Sequence, residues 1–194
     1  MKLILASRSP RRRELLGRMG LEFTVVTPQI DEDAFTAPDP AALVSLLSRE
    51  KAMAVAGTCP EALVIAADTV VVLDGAVLGK PRDQAEAQEM LAALSGRSHE
   101  VYTGVTVCRG GRAVTGAERT EVTFRALTPE EIRRYVATGE PMDKAGAYGI
   151  QGLGSLLVEG IRGDYFNVVG LPVCRLGRML ADFGVDCLAA AAGE

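Results

Sequence analysis

Two dipeptides, Asp74-Gly75 and Gly110-Gly111, each separate a pair of strand-like runs. The first divides Val70-Val71-Val72-Leu73 from Ala76-Val77-Leu78. A two-residue Asp-Gly connection between such runs is a strong hairpin signal, because both positions tolerate positive φ. Hairpins place antiparallel neighbours in a sheet, whereas the remaining segments alternate between strand and helix. A purely parallel sheet is therefore excluded, and a mixed α/β fold is expected.

Strands are predicted over residues 2–6, 22–26, 62–67 running into 70–73, 100–107 and 120–125, from apolar and β-branched runs bounded by Gly, Asp and Pro. Helices are marked by their caps. Asp39-Pro40 opens one through about residue 56, with Leu43, Leu46, Leu47 and Ala54 expected on one face. Asp83 opens another with Ala87, Met90, Leu91 and Leu94 inward, closed by Gly96. Thr128-Pro129-Glu130-Glu131 has the pattern of a capping box, and Gly139 ends that helix. Pro172 begins the last helix, through about residue 183, which Gly184 closes. At 194 residues the chain fits one domain, here 1–188, with 189–194 as a frayed tail.

Chemistry is concentrated at the first predicted turn. Leu3-Ile4-Leu5-Ala6 runs into Ser7-Arg8-Ser9-Pro10-Arg11-Arg12-Arg13, and a helical pattern, Leu15-Leu16-Met19, follows. Pro10 suits the first position of a helix, where a missing N–H costs nothing. Two hydroxyls, several guanidinium groups and a helix N-terminus then converge as a cradle for an anion such as phosphate. The alternative is a solvated basic turn. With 21 Lys and Arg against 25 Asp and Glu, the net charge is −4, and only 5% of residues are aromatic. That balance disfavours nucleic acid and fits a small anionic ligand.

Further along, Asp68 interrupts a nearly wholly apolar stretch, Leu63-Val64-Ile65-Ala66-Ala67 before it and Val70-Val71-Val72 after Thr69. A carboxylate there is costly unless it is paired, binds a metal or accepts backbone N–H groups at a bend. Lys51 lies mid-helix and Lys80 beside a turn, either of which could equally be a solvated lysine. Asp31-Glu32-Asp33 could offer oxygen ligands to a divalent cation or could be an acidic surface loop. His99, the one histidine, has no triad-like partner pattern and is read as structural. Between residues 140 and 170 lie seven of the 21 glycines, which suit either close approach to a ligand or a set of tight turns.

The four cysteines are dispersed without a CxxC pair, which reads as reduced thiols in a cytoplasmic protein rather than a zinc site. Arg8 interrupts the first apolar run before a signal-peptide core could form, and no stretch reaches membrane-spanning length, so no membrane partner is expected. No Walker A pattern is present. A phosphate cradle, two lysines, a carboxylate loop and a buried aspartate together form the inventory that metal-assisted hydrolysis of a phosphoanhydride needs.

Six ordered motifs carry a family resemblance: Leu5-Ala6-Ser7-Arg8-Ser9-Pro10-Arg11-Arg12, Arg49-Glu50-Lys51-Ala52, Ala67-Asp68-Thr69-Val70-Val71, Leu78-Gly79-Lys80-Pro81-Arg82, Ser95-Gly96-Arg97-Ser98-His99-Glu100-Val101 and Asp143-Lys144-Ala145-Gly146-Ala147-Tyr148-Gly149-Ile150-Gln151-Gly152. They resemble the Maf-type nucleoside triphosphate pyrophosphatases, from residue 3 to about 183. The resemblance implies a mixed, twisted sheet in two lobes with a cleft, often as a homodimer. It implies hydrolysis of a nucleoside triphosphate between the α and β phosphates with a divalent cation (Mg, Mn or Co). Asp68 matches the proton acceptor, and Ser7, Arg12, Lys51 and Lys80 match phosphate-contacting positions. Glu32, with Asp68, matches the metal site. Arg11, Thr69 and Gln151 fall where base preference is set, and the form of the last motif is similar to the branch acting on dTTP and UTP. An amide at Gln151 offers both a donor and an acceptor to the O4/N3 edge of a pyrimidine. A nucleotide-responsive regulator of septum formation is the other reading the resemblance allows.

Overall fold

The computed structural model describes residues 2–192. Its strands are β1 (Leu3–Ala6), β2 (Thr24–Val26), β3 (Leu63–Leu73), β4 (Ala76–Leu78), β5 (Ser98–Arg109), β6 (Arg112–Phe124) and β7 (Val158–Arg162). The helices are α1 (Pro10–Arg18), α2 (Pro40–Ala56), α3 (Gln84–Leu94), α4 (Pro129–Ala137), α5 (Tyr165–Val169), α6 (Val173–Ala181) and α7 (Cys187–Ala192). The strands form one sheet in the order β2-β1-β3-β5-β6-β7, with β4 on β3. β1 runs parallel to β2 and β3, while β4 is antiparallel to β3 and β7 to β6. The expected mixed α/β fold is thus present.

The turn chemistry explains the hairpin that excluded a parallel sheet. Asp74 and Gly75 take φ of 51° and 80°, the left-handed pair that a two-residue hairpin requires. Arg97 donates to both oxygens of the Asp74 carboxylate, each at 2.7 Å. One expectation changes: the two runs flanking Asp68 are a single eleven-residue strand, with no bend at the carboxylate. The tail expected from residue 189 is, through Ala192, the end of α7, and residues 193–194 lie outside the described residues. β7 and α5 were not anticipated, since the glycines around them mask any apolar period.

The chain divides into two compact units. The first comprises residues up to Asp68, Thr103–Glu118 and those from Gly170; the second comprises Thr69–Tyr102 and Arg119–Val169. In the first, Ile4, Ala6, Val64 and Ala66 pack with Ala52, Val55 and Cys108. The buried face of α2 is Val44, Leu47, Ser48, Lys51, Ala52 and Val55, rather than the stripe ending at Ala54, which is exposed. Two polar residues belong to that face because each has a partner. Ser48 shares a 3.0 Å hydrogen bond with Thr106 on β5, and Thr106 another of 2.9 Å with Thr115 on β6. Gly104 lets α2 come this close: a Cβ there would lie 2.1 Å from the Val44 carbonyl oxygen.

In the second unit, Phe124, Tyr148 and His99 form an edge-to-face trio, with ring centroids 4.7–5.3 Å apart. His99 is buried, and its Nε2 shares a 2.8 Å hydrogen bond with the Tyr148 hydroxyl. Burial lowers the imidazole pKa from its usual 6.5 to about 4. The structural reading of His99 from its sequence context agrees with this setting.

Two outcomes are expected. Gly104→Ala should lower stability by about 3 kcal/mol, because backbone rather than a flexible side chain has to give way; chemical denaturation measures it, and an unchanged midpoint would refute the close packing of α2. The second concerns acid. As pH falls through 6.5 the unfolded chain protonates His99 while the folded chain does not until about 4. Stability therefore falls across that window, by about 3 kcal/mol in total from this group. Denaturation curves between pH 7 and 4 should be less pH-dependent in His99→Gln than in the parent, and parallel profiles would contradict a neutral buried ring.

Candidate active site

The first unit builds a charged site at the carboxyl end of β1. All four β1 residues are buried, so the strand has no freedom in register, and Ser7 follows directly. Ser7 is itself buried, and its Oγ accepts the Ser9 N–H at 3.1 Å. Ser9 caps α1 by accepting the Arg12 N–H at 3.4 Å, with Pro10 in the first turn as expected. This fixes the helix start over which Arg11 and Arg12 stand, each half-buried. Arg12 Nε donates to the Gly170 carbonyl at 2.8 Å. Burial lowers the Arg12 pKa, with Asp68 acting against the shift, Arg11 adding to it and Glu32 again opposing it. The guanidinium nonetheless stays charged, since its ordinary value lies so far above neutrality.

The β1/β3 register sets the next residue. Ala6 pairs with Ala66, so Asp68 lies two residues beyond that pair, at the end of β1 from which Ser7 emerges. Ligands of open α/β sheets gather at such carboxyl ends. α2 brings Lys51 to the same place: its Nζ donates to Asp68 Oδ1 at 2.6 Å and lies 3.0 Å from Glu32 Oε1. Lys51 and Asp68 are both buried, whereas the Glu32 side chain is 44% exposed. Removing one partner of such a buried pair is far costlier than removing both, because it strands a charge. Glu32 sits in a 3-10 turn, Glu32–Ala34, whose Asp31 side chain accepts the Asp33 N–H at 3.3 Å.

Glu32 and Asp68 thus converge on the Lys51 ammonium, each contacting it through one oxygen. Two carboxylate oxygens are what a Mg²⁺-type ion commonly takes from a protein, the remaining positions going to water and phosphate. Among the described residues no group of three His, Cys, Asp or Glu side chains could hold a metal alone. The donor set therefore fits an ion shared with a phosphate ligand, not a closed structural site.

The other anticipated residues belong to the second unit. Thr69 follows Asp68 on β3 and is half-buried; Lys80 follows β4 and is exposed. The Gly79 carbonyl, next to Lys80, accepts the Gly146 N–H at 3.0 Å. That bond ties the Lys80 segment to the glycine-rich motif that carries Gln151, which is half-buried. The structure hence gathers Arg11, Arg12, Glu32, Lys51 and Asp68 into one electrostatic cluster, with Ser7 set at its edge by register. Sequence reasoning missed Gly170, whose carbonyl anchors Arg12, and also Glu140, whose carboxylate binds the Gln151 loop. A signal existed for Glu140: an acid just past the carboxyl end of α4 opposes the helix dipole and so calls for other donors.

The chain is similar to known proteins along nearly its whole length. A dTTP/UTP pyrophosphatase of Moorella thermoacetica is 61% identical over 188 residues, covering 95% of this chain and 96% of its own. Another, from Symbiobacterium thermophilum, is 54% identical over 192 residues, covering 99% of each. Among solved structures, a HAM1 protein from Coxiella burnetii matches in fold, with a TM-score of 0.52 and 16% identity over 94% of this chain and 99% of that one. The family model described as Maf-like protein matches residues 2–183, and the chain belongs to that family.

Proposed function

We propose that this chain is a nucleoside triphosphate pyrophosphatase that hydrolyses dTTP and UTP to the monophosphate and pyrophosphate. The observation that carries the reading is the buried Lys51–Asp68 pair with Glu32 on the same ammonium. Relatives 50–61% identical over nearly the whole chain share that activity in their names. Ser7, Arg11 and Arg12 would bind the phosphate chain, where planar guanidinium groups match phosphate oxygens. Lys51 and Lys80 are each read as phosphate-contacting positions, where an ammonium would add compact positive charge.

Asp68 is proposed as the general base. Lys51 fixes its Oδ1, so the carboxylate has one defined orientation from which to take a proton. Water oxygen bonds to the α-phosphorus, the bond from that phosphorus to the α,β-bridging oxygen breaks, and pyrophosphate leaves with the electron pair. The proton lost by water passes to Asp68. A divalent cation of the Mg, Mn or Co kind, held by Glu32 and Asp68, would supply charge neutralisation on the phosphoryl oxygens. Arg11, Thr69 and Gln151 would read the base, Gln151 by a donor and acceptor pair. A cytoplasmic setting is supported by four unpaired thiols, and a homodimer by the family resemblance.

Asp68→Asn, which preserves shape, should reduce pyrophosphate release from dTTP by about a thousandfold; it also leaves the buried Lys51 ammonium without its partner, so the unfolding midpoint should fall, and turnover is compared at a temperature where the variant is folded. Substantial turnover by the folded variant would remove Asp68 from the mechanism. Across a panel of triphosphates, dTTP and UTP should give pyrophosphate and monophosphate in equal amounts; orthophosphate as the primary product would place cleavage at a different bond and overturn the proposal.

A further inference from the structure

The Gln151 loop is held by one carboxylate and one phenol. α4 delivers a buried Tyr135, and Gly139, with φ of +77°, turns the chain so that Glu140 follows. Glu140 Oε1 accepts the Tyr135 hydroxyl at 3.0 Å and the Gly154 N–H at 2.9 Å. Its Oε2 accepts the Leu153 N–H at 3.0 Å. The Tyr135 oxygen in turn accepts the Gly149 N–H at 3.3 Å. Backbone groups two residues before Gln151 and two and three residues after it are therefore bound to one Tyr–Glu pair. Buried N–H groups outside a ladder need such partners, and these side chains serve in place of a sheet.

The space around the loop is equally constrained. A Cβ on Gly152 would lie 2.8 Å from Glu140 Oε2, and one on Gly154 would lie 2.2 Å from the Gly149 carbonyl oxygen. The loop is pinched shut behind Gln151, with the carboxylate filling the gap. Burial alone would raise the Glu140 pKa, but the Gly154, Leu153 and Tyr135 hydrogen bonds, with Lys144 nearby, bring it below the usual carboxylate value. The Tyr135 hydroxyl is pushed well above its ordinary range, chiefly by burial, so it stays a donor.

We propose that Glu140, with Tyr135, is a positioning residue for base selectivity: it holds the loop in the one conformation from which Gln151 can meet a pyrimidine edge. This rests on the reading of Gln151 as a base-contacting residue. Selectivity by hydrogen bonding depends on mispaired polar groups being penalised, and a loop free to relax escapes that penalty. The hydrogen bonds of the clasp run to the backbone on either side of Gln151, so it should act on which base is accepted and leave the chemical step alone.

The experiment compares the parent with Glu140→Ala, Glu140→Gln, Tyr135→Phe and Gln151→Ala, measuring kcat and KM for dTTP, UTP, dCTP and dGTP. Amide exchange over residues 148–156 is followed in parallel. For Glu140→Ala the ratio of kcat/KM for dTTP over dCTP should fall by about tenfold or more, carried mainly by KM. Amide exchange in the loop should quicken by a similar factor. Glu140→Gln, which keeps one accepting oxygen, should fall between parent and Ala. Tyr135→Phe retains the carboxylate and gives the same directional change if Glu140→Ala does not fold. If Gln151→Ala shifts the ratio while the folded clasp variants do not, the proposal is overturned. A uniform loss of kcat on every nucleotide also overturns it, since it marks a structural role. If Gln151→Ala leaves the ratio unchanged, the base-reading assignment fails, and the clasp loses its selectivity role with it; faster loop exchange in Glu140→Ala would still register the clasp itself.

Discussion

The buried contact between Lys51 and Asp68 is the constraint from which the first unit follows. A strand as apolar as β3 could not hold an ionised carboxylate without a counterion at hydrogen-bond distance, and α2 supplies one at 2.6 Å. That requirement dictates how α2 docks. Lys51 must lie on the buried face, so its neighbours a turn away must be compatible with burial. Ser48 is, because Thr106 receives it; Val44 is, because Gly104 leaves room for its carbonyl. Packing and charge pairing are thus one problem with one solution. Arg12 completes it, feeling Asp68 and Glu32 as nearby anions.

The second unit solves a different problem, that of ordering glycine-rich chain. Between 3-10 turns and short helices the backbone has few ladder partners, and the fold meets the need with side chains: Glu140 and Tyr135 for the Gln151 loop, and Asn167 donating to the Val101 carbonyl and to Thr120. Glycine serves there as space for other groups. Gly154 is needed because a neighbouring carbonyl and the Tyr135 hydroxyl already occupy the position of its side chain.

Much of the fold was legible because local signals agreed with one another. The Asp74-Gly75 turn, the Thr128 capping box, the Asp39 and Asp83 caps and the glycines that end helices all act within a few residues, and each stands where the sequence put it. What local signals could not convey was partnership across the chain. Asp68 looked like an interruption of its strand because its cost was visible and Lys51 was seventeen residues away. The face of α2 was misassigned at Ala54 for the same reason, since apolarity ranked alanine above a serine and a lysine that have partners. Of the site, the residue types and their order could be read; the Gly170 carbonyl under Arg12 could not, because any residue has a carbonyl.

The trio of His99, Phe124 and Tyr148 bears on how such a protein responds to acidity. The chain has one imidazole, and that ring is held uncharged down to about pH 4. No histidine is therefore left to gain or lose a proton around neutrality. A terminal phosphate of a nucleotide, by contrast, changes charge at about pH 6. Under the proposed activity, mild acidification changes the charge of the cargo while the one imidazole of the folded container stays neutral.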